Sequence, residues 1–468
     1  MPTASEIPNA AQPPETFRRH SPPPLQSRPL NIPAPVELTL ANELRVAVVS
    51  DTRLPIVSFR LAFVGGDSND PPDLPGLSDM MSHLMSEGTS SRTSVQIAEE
   101  VERLGATLSV NSGSDFVTVG ASALSQYVDE ILELMADVTL RPSFPQNEID
   151  LARENTKQML IQQRAQPNFL ASERTAKVMF GDHPYARISP TSASLDGMSR
   201  DMFVDFHRSR LVPNNAVLLV VGDIEVDEIV AKLEKLFGAW KRETLAQSNF
   251  PALPQLSTRK AYLVDRPGSA QSNIVIANAG IARTSPDYFP MLVMHTVLGA
   301  NASSRLFMNL REEKGYTYGA YSSVDARRLA GSFRVSAEVR TPVTGASLHE
   351  FFVELDRIRN ERVPDEELAN AKSYLTGVFP IRIETQDGLI DQLTGVRMYE
   401  LPSDYLHTYR EKVNAVTAEE VQRVAQQHVT PDRAVIVVVG DAAEVESQMR
   451  DYSEQIEFYD TEGNQKKQ

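Results

Sequence analysis

The segment Pro213-Asn-Asn-Ala-Val-Leu-Leu-Val-Val-Gly-Asp223 returns 218 residues later as Pro431-Asp-Arg-Ala-Val-Ile-Val-Val-Val-Gly-Asp441. Helix-like segments precede both, starting at Ser199 and at Thr417, again 218 apart. Each start is an N-cap candidate, and Thr417-Ala-Glu-Glu420 forms a capping box. A third anchor agrees: Phe144-Pro145 and Val363-Pro364 open two helices 219 residues apart, with proline where a missing N–H costs nothing. Three anchors in nearly one register require two copies of one unit of about 220 residues. The expected units are 36–240 and 257–455, joined by a linker at 241–256 that holds Pro251 and Pro254 but little periodicity. Residues 1–35, with Pro13, Pro14, Pro22, Pro23, Pro24, Pro33 and Pro35, read as a flexible arm without a core of their own, and 456–468 as a polar tail.

Within the first unit, Leu44–Val49 and Val57–Val64 read as strands and Leu77–Ser86 as a helix. In a second helix Ile97, Val101 and Leu104 mark one face before Gly105 ends it. Thr107–Val110 and Phe116–Ala123 follow as a hairpin, and Tyr127–Val138 as another helix. The chain mixes α and β.

Composition removes several function classes. The 468 residues carry 46 basic and 62 acidic side chains, a formal charge of −16, and no cysteine. Thiolate metal sites, disulfides and cysteine nucleophiles are excluded, so a metal would need His, Asp or Glu. The acidic balance argues against a nucleic-acid partner. No apolar run approaches the ~18 residues that span a bilayer, and Met1–Pro14 lacks a charged-then-apolar leader. A cytoplasmic protein is expected, or a periplasmic one if a leader has been removed.

Phosphate loops, dinucleotide fingerprints and nucleophile elbows do not occur. Two segments stand out. In Gly76-Leu-Ser-Asp-Met-Met-Ser-His-Leu-Met-Ser-Glu-Gly-Thr89, a continuous helix would place Asp79, His83 and Glu87 at i, i+4 and i+8 along one stripe. That stripe is either a set of metal ligands or a solvated polar face with Met80, Met81 and Met85 packed inward. In Leu298–Ser323, a helix from about Ser304 should end at Gly315, with Lys314 on its negative end and a strand beyond. Strand alternation would put Tyr316, Tyr318, Ala320 and Ser322 on one face, and a reversal at Gly315 would bring Arg311 close to Tyr318, either as a functional pair or as an arginine stacked on an aromatic strand.

The first segment resembles the metal helix of the pitrilysin- and insulinase-type zinc peptidases, the group that includes the mitochondrial processing peptidase. His183-Pro-Tyr185, the paired units and the repeated Val-Val-Gly-Asp strand look like landmarks of the same family, over about Val36 to Val445. The resemblance implies an α+β fold of two homologous domains, each a mainly antiparallel sheet covered by helices. It also implies a His-x-x-Glu-His zinc motif, whose positions are held here by Asp79, Ser82 and His83, and a third ligand at a position held by Met159. One histidine survives and the general base is absent, so no metal is expected in this chain. Ser109-Val110 stands where active members carry Asn-Ala on a substrate-lining strand, a second departure. The second segment, Leu-Arg-Glu-Glu-Lys-Gly-x-x-Tyr, resembles the family's second-domain signature. By that resemblance Arg311 holds substrate carbonyls and Tyr318 donates to the developing oxyanion, with Asn301 and Arg305 shaping the same wall.

The combination implies a non-catalytic subunit of a heterodimeric, bacterial-type zinc peptidase. Its zinc would lie in a paralogous partner subunit, its substrates would be extended peptides, and the chain alone would be inactive. The alternatives are an assembly protein similar to the core subunits of respiratory complexes, and an enzyme holding zinc through a rearranged Asp79, His83 and Glu87 set.

Overall fold

The computed structural model describes residues 29–246 and 249–466. Most of the expected proline-rich arm, up to residue 28, and Gln247–Ser248 within the expected linker lie outside the described residues. Contacts divide the chain into Met1–Asn31, of which Pro29–Asn31 have no regular structure, and Ile32–Gln468, which holds every element below.

Among the described residues thirteen strands form two sheets. The first contains β1 (Val36–Thr39), β2 (Arg45–Ser50), β3 (Ile56–Val64), β4 (Thr107–Ser112), β5 (Phe116–Leu124) and β6 (Ala216–Gly222), in the order β1-β2-β6-β3-β5-β4. The second contains β7 (Lys260–Asp265), β8 (Gln271–Ala279), β9 (Thr317–Ala326), β10 (Gly331–Arg340), β11 (Val435–Gly440), β12 (Ile456–Tyr459) and β13 (Gln465–Lys466), in the order β13-β12-β7-β11-β8-β10-β9. Five adjacent strands of each sheet, β2-β6-β3-β5-β4 and β7-β11-β8-β10-β9, have one topology. β2 runs parallel to β6 with Arg45 opposite Val217, and β7 parallel to β11 with Lys260 opposite Val435. The repeat in the sequence is thus a repeat in strand pairing, in an α+β fold whose remaining inner pairs are antiparallel.

The repeated motif forms the central strands β6 and β11, and every residue of both is buried. Unbroken apolar, β-branched runs of this kind need cover on both sheet faces. Helices of the same half supply one face. The other is supplied by exchange: helix Pro167–Phe180 of the first half packs on β8 and β11, and helix Gln386–Met398 of the second packs on β3 and β6. The two helices start 219 residues apart, in the register of the repeat. Leu170, Met179 and Phe180 share one core with Tyr262, Val264, Val437 and Val439. Full burial of such side chains stabilises by about 1.5–3 kcal/mol each.

Polar contacts follow the same seam. Ser58 Oγ donates to Asp387 at 2.8 Å, Arg60 meets Asp391 at 3.0 Å, and Arg174 lies 3.3 Å above the Tyr459 ring while donating to the Gly463 carbonyl at 3.0 Å. Residues 456–466 are therefore not a polar tail. Ile456–Tyr459 pairs with β7 in parallel because Tyr459 has an apolar shelf and a cation to pack on.

Helix ends follow local chemistry, with two departures from expectation. The Thr417 box forms with both hydrogen bonds, whereas Ser199 occupies its N-cap without a side-chain bond. Pro145 and Pro364 stand at the N-caps, one residue before the helices proper, where their extended ψ is allowed.

Candidate functional site

The motif helix of the first half spans Leu77–Met85 and buries Met80, Met81 and Met85. Asp70 holds its start, accepting from Gly76 N at 2.8 Å and Ser78 N at 2.9 Å. Burial, opposed by these bonds and reinforced by Asp67, pushes the Asp70 carboxyl up to about 7. Asp79 and His83 lie on the open face of the helix. Burial among neighbouring groups, with the charge of Asp67, raises Asp79, and His83 partly offsets the effect.

The expected stripe breaks at its third member. The helix ends at Met85 and Gly88 turns the chain at a φ of 152°, so Glu87 lies beyond the helix and out of line with Asp79 and His83. The exit is fixed elsewhere: Thr89, Ser91 and Arg92 all donate to the buried carboxylate of Asp137. Ser82, at the position of the family's general base, is buried with its hydroxyl unpartnered. Met159 lies 53% exposed on helix Gln146–Arg164. Among the described residues no three His, Asp or Glu side chains converge as a metal-holding group. Asp79 and His83 are the two possible ligands at these positions; with a buried hydroxyl and a thioether at the others, they fall short of the three that a water-activating zinc ion takes from protein.

In the second half, Arg305–Phe307 forms one α-helical turn that continues as a π-helical segment, Met308–Glu313, and Gly315 closes it at a φ of 63°. Such segments are rare and concentrate at functional sites. Lys314 pairs with Glu350 at 3.1 Å. Arg311 does not meet Tyr318; its guanidinium lies 4.6 Å over the Phe307 ring and 3.5 Å from Glu312. Nor does Tyr318 share a face with Ala320 and Ser322. Ala337 pairs with Ala320 but Val339 pairs with Thr317, so β9 carries an extra residue at Tyr318-Gly319. The bulge resets the alternation. Ala320 and Ser322 point into the core while Tyr318 points out, 88% exposed.

Asn301 and Arg305 occupy a different place. Asn301 accepts from Ser303 N at 2.9 Å, and Arg305 is buried with its Nε donating to Glu367 at 2.7 Å. Both line a cavity between helices Tyr288–Gly299, Thr344–Asn360 and Asp365–Arg382, whose walls include neither Arg311 nor Tyr318.

Among the described residues each sheet ends in an unpaired edge on the strand that follows its signature segment: β4, with Ser109 and Val110, and the bulged β9. Residues 45–189 match the model of the insulinase family, peptidase family M16, and residues 197–375 match that of the peptidase M16 inactive domain. The chain belongs to the M16 peptidase family. Similar M16 relatives include an uncharacterized zinc protease of Mycobacterium leprae, 26% identical over 83% of this chain and 88% of that protein. An uncharacterized zinc protease of Bacillus subtilis is 23% identical over 86% and 97%. Among solved structures, a peptidase M16 inactive domain from Pseudomonas fluorescens superposes with a TM-score of 0.81 at 25% identity, covering 87% of this chain and 98% of that one. No described helix is long and apolar enough to cross a membrane.

The M16 landmark His183-Pro-Tyr185 is a structural joint rather than a surface motif. Tyr185 is buried and its hydroxyl donates to Asp115, which also accepts from Arg328 N of the β9–β10 turn at 2.9 Å. Sequence reasoning singled out neither Asp115 nor Asp70. Each is one acid in a loop, and nothing local distinguishes it from a solvated one.

Proposed function

We propose that this M16 chain is the non-metal subunit of a heterodimeric zinc peptidase. The zinc and its His-x-x-Glu-His helix belong to a paralogous partner, and Tyr318 and Arg311 of this chain complete the partner's site. The observation that carries the reading is the position of Tyr318: a bulge on a free sheet edge holds its phenol out of its own fold, 88% exposed, while the chain's own metal positions lack a ligand set.

In this reading an extended peptide adds along the β9 edge through backbone hydrogen bonds. Arg311, 45% exposed at the end of its helical segment, donates to substrate carbonyls. The Tyr318 hydroxyl donates to the oxygen on which charge develops when the scissile carbonyl is attacked.

The test pairs the purified chain with a His-x-x-Glu-His paralogue and follows cleavage of an unstructured peptide. The chain alone should not cleave, and Tyr318→Phe should lower the pair's kcat by roughly 10²–10³. Because the phenol is exposed, the variant's melting temperature should stay that of the parent. An unchanged kcat would remove Tyr318 from the chemistry. Zinc-dependent cleavage by the isolated chain would overturn the partner assignment, and a stable complex without a zinc-bearing paralogue would favour the assembly role.

A further inference from the structure

Another cavity, about 410 Å³ in volume, opens at the start of helix Tyr288–Gly299, where helix Tyr405–Ala415 passes it. Its walls are aromatic and basic: Tyr288, Phe289 and Tyr405 line it together with Arg283 and Lys412. The charged ends of both cations lie over these rings. The Arg283 guanidinium is 3.7 Å from the centre of the Tyr288 ring and 5.0 Å from that of Tyr405, and the Lys412 ammonium is 5.8 Å from the centres of Tyr405 and Phe289. Arg283 gives one N–H, from Nη2, to the Tyr405 hydroxyl at 2.7 Å. Its Nε and Nη1 and the Lys412 Nζ have no partner among the described residues, and none of these three atoms is buried. Stacking on a ring face satisfies no N–H, so the edge of the guanidinium stays open as a fork.

The charges are uncompensated as well as accessible. Glu420 is the one carboxylate on the wall; its Oε2 accepts from Thr417 N at 2.8 Å, and among the described residues it pairs with neither cation. Asp287, next in sequence to Tyr288, is taken by Arg423 and His428, both at 2.8 Å. Two like charges held over one ring without a counter-ion repel each other, and an anion between them relieves the repulsion.

The same wall selects among anions. Two cations and one carboxylate leave a single positive charge, which suits a monoanion. Phe289 and Leu401 are half-buried and Pro286 and Pro402 exposed, so an occupant with an apolar body takes this surface out of water where a small inorganic ion does not. A planar carboxylate matches the fork of Arg283. We infer that the cavity binds an apolar carboxylate, its oxygens on the open edge of Arg283 beside Lys412 and its apolar body against Phe289 and Leu401. The C-terminal residue of a peptide and a free organic acid share that chemistry. Neither Arg311 nor Tyr318 lines the cavity, so occupancy needs no zinc-bearing partner.

Isothermal titration of the full chain separates the sources. N-acetylphenylalanine represents the peptide end and 3-phenylpropionate the free acid; N-acetylphenylalaninamide keeps the body without the charge, and acetate the charge without the body. At least one of the first two should saturate in the millimolar range or tighter, and the amide and acetate should each bind at least about tenfold more weakly. Saturation by N-acetylphenylalanine alone assigns the peptide end, by 3-phenylpropionate alone the free acid, and by both the shared chemistry. Lys412→Gln and Arg283→Gln should each weaken binding by about tenfold or more. Lys412 has no hydrogen bond or ion pair to lose, so its variant should melt with the parent, and it decides the matter if Arg283→Gln fails to fold. No saturation by either carboxylate, equal binding of the amide, or unchanged binding in Lys412→Gln would overturn the inference.

Discussion

The Tyr185 hydroxyl of the first half donates to Asp115, and the second half closes over the pair: Leu329 N reaches the same hydroxyl at 3.3 Å and Arg327 lies 4.8 Å over the Tyr185 ring. Three groups from two homologous units thus meet on one buried phenol. The bond is charge-assisted and shielded from water, the setting in which loss of one partner costs most.

Tyr185→Phe leaves Asp115 without its buried donor and should destabilise by about 1–3 kcal/mol in urea unfolding at pH 8. Burial, then Asp115, raises the Tyr185 phenol above its ordinary pKa of 10.0. A raised folded-state pKa gives stability that is fully present below pH 10 and lost as pH rises above it toward the folded value. The gap between parent and Tyr185→Phe should therefore narrow above pH 10, and a constant gap would show that the phenol's proton plays no part.

The exchanged helices make each half part of the other's core. Phe180→Ala, in the helix that covers β8 and β11, should cost about 3–5 kcal/mol. The only tryptophan, Trp240, packs on Phe63 and Phe237 of the first half, far from that cavity in the chain. Its fluorescence should nonetheless report the full shift in midpoint, because the halves unfold together. A Trp240 midpoint unmoved by Phe180→Ala would mean that they unfold separately.

Asp70 couples the motif helix to pH. Its folded-state pKa of about 7 stands above the ordinary 3.8, so its contribution is fully present below pH 4 and lost as pH rises through 7. The parent chain should lose stability relative to Asp70→Asn between pH 5 and pH 8, by on the order of a few kcal/mol. Asp137, held at about 2 because its hydrogen bonds outweigh its burial, acts in the opposite sense below pH 4 and cancels in that comparison. Equal slopes for the two proteins would show that Asp70 stays ionised throughout.

Gly299 ends the helix that backs β9, and a Cβ there would sit 2.3 Å from Ser322 N. Gly299→Ala should cost about 1–3 kcal/mol by thermal denaturation, since a strand backbone cannot move aside as a side chain would. The same variant should displace β9 and with it Tyr318, so activity with a zinc-bearing partner should fall together with stability.

Much of this molecule is legible in the order of its residues. The repeated Val-Val-Gly-Asp strand, the Thr417 box and the Gly105 and Gly315 stops are local or periodic signals, and the two-unit plan and the motif positions follow from them. The arrangement of those units belongs to the tertiary structure. Central strands as apolar as β6 and β11 must be covered on both faces, but the pattern is silent on whose helix covers them. The strand at Ile456–Tyr459 carries β-forming side chains, Ile456, Phe458 and Tyr459, but so short a run becomes a strand only where β7 and Arg174 receive it. Alternation puts Tyr318 on the core face; one extra residue in β9, opposite Glu338, turns it outward. Sequence determined which groups the chain possesses and which residues stand at the family's zinc-motif positions. Long-range pairing decided where those groups point, because register, bulges and burial depend on strands hundreds of residues away.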